Sequence, residues 1–329
     1  MANKVRMADI AQQLGISVVS VSKGLAGKDG VSEELRRRIL AAAQELGYTA
    51  PTERNKEKRL TGNIGFLVAD RFFADHTFYA NVYRAMLKHC AASGFSGLLE
   101  IVSSEDEYKC TVPSIISNGK VDGLIFMGQL SRNYLQTMIN FDIPYILLDF
   151  YYDSLSADSV ISDNTSGEYI LTNHLIGTGR RKIGFVGSIF ATSSIMDRYL
   201  GYTKALLQAG LPLRSDWRLE DRDESGRFIT LQLPDELPEA FVCSCDEVAY
   251  NLVEMLKRMG LRIPQDVAVA GYDDHLFSQI SNPPLTTYRV NAKDMGRVAV
   301  DRIIRRINGK KPVAGDIVIH GTLIRRDST

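Results

Sequence analysis

Residues 9–23, D-I-A-Q-Q-L-G-I-S-V-V-S-V-S-K, decide the fold of the N-terminal region. Apolar residues at 10, 11 and 14 share one helical face, and Gly15 ends this helix because glycine accepts the left-handed backbone of a tight turn. Ser17 is a good N-cap for a second helix that runs to about Ala26. Two short helices joined by such a turn predict a helix-turn-helix, whose second helix lies in the DNA major groove.

A third helix is expected after Ser32, whose hydroxyl can cap it. Leu35, Ile39 and Leu46, with alanines 42 or 43, recur at helical spacing and predict a small three-helix core. The run of arginines at 36–38 lies on this helix. It is either a solvated face or a set of phosphate contacts, and both interpretations remain open.

Charge is distributed unevenly along a chain whose formal net charge is zero. Residues 1–60 hold 11 Lys and Arg against 7 Asp and Glu, whereas the remainder holds 28 against 32. A basic N-terminal part on an acidic body favours nucleic-acid binding by the small part alone. Because the imbalance is modest, affinity for DNA must come from placement and dimerisation.

Cysteine usage and hydropathy indicate a soluble cytoplasmic protein. Four cysteines in 329 residues do not make a disulfide scaffold. Cys243 and Cys245 are expected as buried, reduced thiols, with a redox or metal role as the lesser alternative. The N-terminus is polar and does not resemble a signal peptide. No apolar run approaches the ~18 residues of a membrane span.

The body predicts an α/β fold with two doubly wound lobes. Residues 1–49 form the DNA-binding domain, the charged segment 50–63 forms a hinge linker without an apolar face, and 64–329 form a two-lobed core. Short apolar runs alternate with amphipathic stretches, as in parallel sheets covered by helices. Strands are expected at 64–69, 97–102, 123–127, 145–150, 159–162, 182–187, 240–244, 267–272 and 316–320. Helices are expected at 79–93, 112–118, 131–140, 165–177, 195–209, 246–260 and 292–308.

Polar residues stand where these strands end, and ligands of doubly wound sheets bind outside the carboxyl ends of the strands. Two facing lobes would bring such residues into one cleft, although each taken alone is as readily a helix cap. The set is Asp70, Asp149, Ser188, Asp246, Asp273 and Asp274. No phosphate-binding loop, nucleophile elbow or H-E-x-x-H motif occurs, and the five histidines lack metal-ligand spacing. The sequence therefore predicts a non-enzyme without cofactor or metal.

The chain resembles bacterial transcription regulators of the lactose repressor–galactose repressor (LacI/GalR) family over essentially its whole length. The motifs that carry this are D-I-A-x-x-L-G-I-S-x-x-S-V-S-K, G-V-S-E-E-L-R-R-R-I, V-D-G-L-I, D-N-T-S-G, D-R-Y-L-G-Y, G-L-R-I-P-Q-D-V-A-V-A-G-Y-D-D and N-P-P-L-T-T. The resemblance implies a homodimer of cores similar to periplasmic sugar-binding proteins, each with one DNA-binding headpiece. It also implies a repressor of operator DNA that a small polar effector controls.

The DNA-reading positions depart from the family pattern. Val18 and Val19 cannot hydrogen-bond base edges but can pack on thymine methyl groups. In the hinge, Glu57 has the spacing of the family's leucine wedge and Ala50 replaces a proline, so Leu60 is the apolar candidate for the minor groove. The predicted DNA-contacting set is Met7, Ser17, Val18, Val19, Ser20, Ser22, Lys23, Ser32 and Leu60.

The resemblance places Asp149, Arg198 and Asp273 where family members bind sugar hydroxyls or other polar groups. Carboxylates accept from hydroxyls while a guanidinium donates in a fixed fork, which suits a sugar. The predicted effector-binding set is Phe78, Asp149, Ser194, Arg198, Asp246 and Asp273. The aromatic that stacks on the sugar in many members has no counterpart in L-E-D-R-D-E-S-G, and its substitutes could be Phe72, Phe73, Phe78 or Tyr79.

Several rival functions remain at this point. The body alone fits a sugar-binding protein or sugar sensor that does not control DNA binding. An α/β enzyme with a helical extension is a second alternative, and it lacks a catalytic constellation. A regulator that responds to a protein partner is a third. The helix-turn-helix favours a DNA-binding regulator over the sugar-binding protein, and the missing stacking aromatic keeps the partner-controlled regulator open.

Overall fold

The computed structural model describes residues 7–25, 30–46, 48, 60–73, 77–155, 157–310 and 315–329, without the side chains of 8, 19, 22, 73 and 77. The chain divides into two compact units, Met1–Leu60 and Thr61–Thr329. Most of the expected hinge linker, including Ala50 and Glu57, lies outside the described residues, as do the side chains of Val19 and Ser22.

The described part of the N-terminal unit confirms the helix-turn-helix and the helix that follows it. Its helices are α1 (Met7–Leu14), α2 (Val18–Leu25) and α3 (Glu33–Glu45). Ser17 Oγ accepts the Ser20 N–H at 3.1 Å, and Ser32 Oγ accepts the Leu35 N–H at 3.3 Å. Apolar side chains from all three helices form one small core: Ile10, Ala11, Val21, Ile39, Ala42 and Ala43.

Two sheets form the second unit and confirm the α/β prediction. Lobe 1 has the strand order β11-β5-β4-β3-β1-β2, all parallel. Its strands are β1 (Asn63–Ala69), β2 (Ser96–Val102), β3 (Gly123–Met127), β4 (Tyr145–Leu148), β5 (Ser159–Ser162) and β11 (Asp316–Ile319). Lobe 2 has the order β12-β10-β9-β8-β6-β7, parallel except for β12. Its strands are β6 (Ile183–Val186), β7 (Arg218–Leu219), β8 (Ala240–Cys243), β9 (Ala268–Asp273), β10 (Thr286–Arg289) and β12 (Thr322–Ile324).

Helices cover both sheets. In lobe 1 they are α4 (Asp70–Phe73), α5 (Thr77–Ala92), α6 (Ser104–Lys109), α7 (Ser114–Ser117), α8 (Arg132–Ile139) and α13 (Ala292–Ile307). In lobe 2 they are α9 (Asn164–Gly177), α10 (Ser193–Gln208), α11 (Asp246–Arg258) and α12 (Leu276–Ile280). Every strand and helix expected in the core is present, and β7, β10, β12, α4, α6 and α12 are additions. No helix in the described parts of the chain is long and apolar enough to cross a membrane.

Helices α9 and α10 pack closely because a glycine stands between them. A Cβ on Gly201 of α10 would overlap the carbonyl oxygen of Thr165 on α9. Gly177, at the end of α9, has nothing within 4 Å of the same added atom. The close packing of α9 and α10 therefore requires a glycine at position 201 but not at position 177.

The chain passes between the lobes after β5, after β10 and after β11, so three connections lie side by side. Asp163 follows β5, and its Oδ2 lies 2.6 Å from Nδ1 of His320, which follows β11. The Gly321 N–H donates to the Tyr288 hydroxyl of β10 at 3.0 Å. These contacts join the three connections into one narrow band between the lobes.

Candidate functional sites

A small cavity of about 90 Å³ lies between the two lobes. Three of the six strand-end residues expected there contribute to its wall, together with several aromatic rings. Its lining includes Phe72, Phe78, Tyr79, Gln129, Asp149, Ser194, Arg198, Asp246 and Asp273. The effector-binding residues predicted from the sequence therefore all line one cavity.

Asp149 gives this cavity a buried acceptor. It follows β4 directly with a φ of +70°, and Tyr79 donates its hydroxyl to Oδ2 at 2.7 Å. Its Oδ1 is buried and has no hydrogen-bond partner among the described residues. Burial raises the pKa of Asp149 to about 6, although the Arg198 charge opposes this rise. Near neutral pH the carboxylate is therefore charged and has free lone pairs.

Arg198 is the buried cation of the cavity, and several groups fix its guanidinium. Nε donates to Asn164 Oδ1 at 2.9 Å, and Nη1 donates to the Ser244 carbonyl. Nη2 lies 3.6 Å from Asp273 Oδ1, and the group stacks over the Tyr272 ring at 3.8 Å. Burial acts to lower the pKa of Arg198, but Asp273 and other anionic neighbours raise it overall. The guanidinium stays charged, and an aromatic face and fixed acceptors hold its orientation.

Asp246 lines the cavity, but bonds within lobe 2 occupy its carboxyl group. One oxygen accepts the His275 N–H at 2.7 Å, and the other accepts the Thr287 hydroxyl at 2.6 Å. Burial raises the pKa of Asp246 well above its usual value, and the Asp273 charge adds to that rise. This geometry gives Asp246 a structural role between β10 and α12 in addition to its place in the wall.

Ser194 and Phe78 complete the predicted set. Ser194 Oγ donates to the Asp149 carbonyl at 2.7 Å, so the start of α10 in lobe 2 contacts the end of β4 in lobe 1. The Phe78 ring packs edge-on against Tyr79, with centroids 5.0 Å apart. Both side chains shape the cavity and connect its two walls, because the Phe78 ring also lies 5.6 Å from the His275 ring of lobe 2.

Three of the strand-end residues lie outside this cavity. Asp274 pairs with Arg289 and Arg326, each at 2.6 Å, and this pairing lowers its pKa against the effect of burial. Asp70 begins α4, and Ser188 donates to the Arg222 carbonyl at 3.0 Å. The expectation that all strand-end residues meet was therefore too broad.

Sequence reasoning missed Gln129, which connects the lobes. It stands two residues beyond β3, and its Oε1 accepts the Ser193 N–H of α10 at 2.7 Å. Tyr151 of lobe 1 also donates its hydroxyl to Asp197 of α10 at 2.9 Å. The position of Gln129 after a buried strand was the available signal. The first turns of α10 therefore bind lobe 1 at several points.

The headpiece presents a mixed apolar and polar face. Val18 is 47% exposed, and Lys23 at the end of α2 is exposed. The Ser17 and Ser20 hydroxyls lie 2.9 Å apart. Met7 is half-buried against the headpiece core. Ser32 is exposed and caps α3. Val19 and Ser22 are described by their backbone alone.

The other residues that the sequence suggests as DNA contacts are the arginines at 36–38 and Leu60. Arg36 is half-buried and pairs with Glu33 at 2.7 Å, whereas Arg37 and Arg38 are exposed. Leu60 is 46% exposed. Either interpretation of the arginine run is compatible with this exposure. The described residues hold no cluster of three or more His, Cys, Asp or Glu that could bind a metal ion.

Comparison with known proteins defines the class. Residues 6–50 match the model of the bacterial regulatory proteins of the lacI family, and residues 172–329 match a periplasmic binding protein-like domain. Together the two ranges take in more than half of the chain. The chain is thus a DNA-binding transcription regulator with an effector-binding core, and it is not an enzyme. It belongs to the lacI family of bacterial regulatory proteins.

Full-length relatives share this organisation. The chain is 28% identical to the ribose operon repressor of Haemophilus influenzae over 327 residues, 98% of each chain. It is 29% identical to the transcriptional repressor PurR of Pasteurella multocida over 329 residues, 97% of each. The solved complex of the transcriptional regulator CelR with cellobiose has the same fold, with a TM-score of 0.71 at 22% identity, and covers 99% of this chain and 100% of that one.

Proposed function

We propose that this chain is a homodimeric repressor whose affinity for operator DNA is set by a neutral sugar bound between the lobes. The sugar contacts Asp149, Arg198 and Asp273. One observation carries the proposal: the free Asp149 Oδ1 shares a buried cavity with a fixed guanidinium. A relative that represses a ribose operon and a similar fold solved with cellobiose support the choice of a sugar.

The chemistry of the wall matches a polyol. The Asp149 carboxylate accepts hydroxyl protons, and Arg198 donates to hydroxyl oxygens from a fixed position. The rings of Phe72, Phe78 and Tyr79 supply the apolar surface that ligand sites combine with a few polar groups. A cavity of about 90 Å³ has room for roughly six to nine water-sized groups, enough for a small polar molecule.

A ligand can act on DNA affinity only if it binds the two lobe arrangements with different affinity. The α10 N-terminus offers such a difference, because Ser193 and Ser194 bond lobe 1 while Arg198 on the same helix faces the ligand cavity. A sugar that pulls on Arg198 therefore changes the balance of the contacts between lobes. By linkage, operator DNA must change sugar affinity by the same factor, typically ~5–150-fold.

The test is operator titration with and without sugars that raise the melting temperature of the protein. Arg198→Ala and Asp273→Ala should keep DNA binding near that of the wild type in the absence of sugar and lose the response to sugar. Asp301→Ala, on the surface of α13, is the control and should keep both properties. Wild-type sugar affinity in both cavity variants would show that the cavity is not the effector site.

DNA contact by α2 is tested separately. Lys23→Ala should weaken operator binding by about 1–3 kcal/mol if Lys23 contacts a guanine, and uniformly across sequences if it contacts phosphate only. Lys88→Ala, an exposed lysine of α5, is the matched control. Unchanged operator affinity in a Lys23→Ala, Val19→Ala double variant would contradict the assignment of α2 as the reading helix. Sedimentation of the free protein tests the dimer.

A further inference from the structure

A second, larger cavity adjoins the sugar cavity and belongs to the same cleft. Its volume is about 810 Å³, and it shares five lining residues with the inner cavity. These shared residues form a neck between the two spaces: Arg71, Phe72, Thr192, Arg222 and Gly226. A ligand that fills the inner cavity can therefore extend through the neck into the outer one.

We infer that the outer cavity is a second saccharide subsite, so that the full ligand is a neutral disaccharide or longer oligosaccharide. The inference rests on the proposed sugar-binding function and adds the length and charge class of the ligand. One sugar ring occupies the inner cavity with Asp149 and Arg198. The next ring occupies the outer cavity.

Two exposed aromatic rings flank the outer cavity, one from each lobe. Tyr108 of α6 is 90% exposed, and Phe190, between β6 and α10, is 83% exposed. Covering a large apolar side chain with a ligand makes the free energy of binding more favourable. The face of an aromatic ring also matches the C–H face of a sugar ring. Two such rings on opposite walls of one cavity indicate a ligand with apolar faces and polar edges.

The arginines of the neck are already neutralised by carboxylates. Arg71 Nη1 lies 2.5 Å from Glu107, and Arg222 Nη1 lies 3.1 Å from Asp221. Arg222 also stacks over the Phe228 ring at 4.7 Å. Both guanidiniums are therefore held in place, and both line the two cavities. Such fixed donors suit the oxygens of a glycosidic linkage and its neighbouring hydroxyls.

The charge of the outer wall argues against a phosphorylated or acidic ligand. After the two neck pairs are set aside, the wall carries further carboxylates but no further basic side chain among the described residues. These carboxylates are Glu220, which pairs with Arg218 at 3.3 Å, and Asp223 and Glu224. An anionic group would meet like charges there, whereas hydroxyl groups would meet hydrogen-bond acceptors.

The experiment is isothermal titration calorimetry of the full chain with matched probes: glucose against cellobiose and maltose, galactose against lactose, and glucose against glucose 6-phosphate. At least one disaccharide should bind about tenfold or more tightly than its component monosaccharide. Tyr108→Ala and Phe190→Ala should each weaken disaccharide binding about 2- to 10-fold and leave monosaccharide binding unchanged. Phe141→Ala, a 43% exposed phenylalanine of lobe 1 outside both cavities, should change neither.

The outcomes separate this inference from the function on which it rests. If monosaccharides bind as tightly as disaccharides, or if both aromatic variants keep wild-type disaccharide affinity, the outer subsite is refuted while the sugar effector stands. If glucose 6-phosphate binds more tightly than glucose, the charge argument is refuted. If no probe of either length binds, the proposed sugar function itself fails.

Discussion

Glu168 on α9 is a buried acid whose replacement should change how stability depends on pH. Its exposure is 0%, and neither carboxyl oxygen has a hydrogen-bond partner among the described residues. Burial raises the pKa of Glu168 to about 8; the Arg198 charge opposes this and the Asp273 charge adds to it. Below that pH the folded protein therefore holds a neutral carboxylic acid in its interior.

The sign of the effect follows from proton linkage. Between an unfolded pKa of 4.5 and a folded pKa of about 8, the folded state binds a proton that the unfolded state has lost. The free energy of unfolding therefore falls as pH rises through this window, by about 4–5 kcal/mol in all. Glu168→Gln keeps the shape and removes the titration. The free energy of unfolding of the variant minus that of the wild type should therefore rise by this amount between acid and alkaline pH.

Urea unfolding followed by tryptophan fluorescence measures this difference. The single tryptophan, Trp217, is buried in lobe 2 and donates Nε1–H to the Glu236 carbonyl at 2.9 Å. Wild type and variant are compared at about pH 5 and about pH 9. Glu105→Gln, at an exposed site, is the control and should show no pH-dependent difference. A Glu168→Gln difference that is the same at both pH values would refute the assignment of a neutral buried acid.

Three further predictions concern the site and the packing. Burial raises the pKa of Asp149 to about 6, and the charged carboxylate accepts sugar hydroxyls, so calorimetry should show sugar affinity that rises as pH increases through about 6. In Asp149→Asn this pH dependence should vanish. The same dependence of sugar affinity on pH in variant and wild type would contradict the contact. Gly201→Ala should lower the free energy of unfolding by about 1–3 kcal/mol through overlap between helices, whereas Gly177→Ala should be neutral or stabilising by up to about 1 kcal/mol; equal losses in urea unfolding would refute the packing argument. Ser17→Ala, which removes the acceptor of the Ser20 N–H, should destabilise the headpiece by about 1 kcal/mol; an unchanged thermal transition would show that this cap is dispensable.

The strands of the core could be predicted from the sequence where a buried strand consists of a continuous run of apolar residues. Strand β1 lies between others in its sheet and reads as a continuous apolar run. Strand β10 escaped prediction because it reads T-T-Y-R, although Thr286 and Thr287 are fully buried. Their hydroxyls are satisfied by Thr329 and Asp246, partners that are distant in sequence. A polar strand that is buried through such partners carries no local signal.

The cavity shows the same division between local and distant information. Asp149 could be located because it ends a predicted strand, and Arg198 because it stands within the motif D-R-Y-L-G-Y. The bond from Tyr79 to Asp149 joins residues 70 positions apart, so only the fold shows that one Asp149 oxygen is occupied. The same holds for Asp246, whose position after a strand predicts a ligand contact while its oxygens in fact bind His275 and Thr287. Sequence therefore indicates which residues reach the cleft, but the partners that remain free depend on tertiary contacts.

The three connections between the lobes lie in one narrow band, so the inner residues of the cleft are close to any axis about which the lobes can rotate. Asp149 donates its N–H to the Val160 carbonyl at 2.8 Å, and Val160 lies on β5, the strand that leads into the first connection. Asp273 is in register with Arg289, the residue at which β10 ends and the second connection begins. Rotation about an axis through the connections displaces nearby atoms little and distant atoms more. A given rotation of the lobes therefore changes the spacing of the inner carboxylates less than the spacing of groups farther from the axis, so a ligand that extends outward responds more strongly to lobe opening.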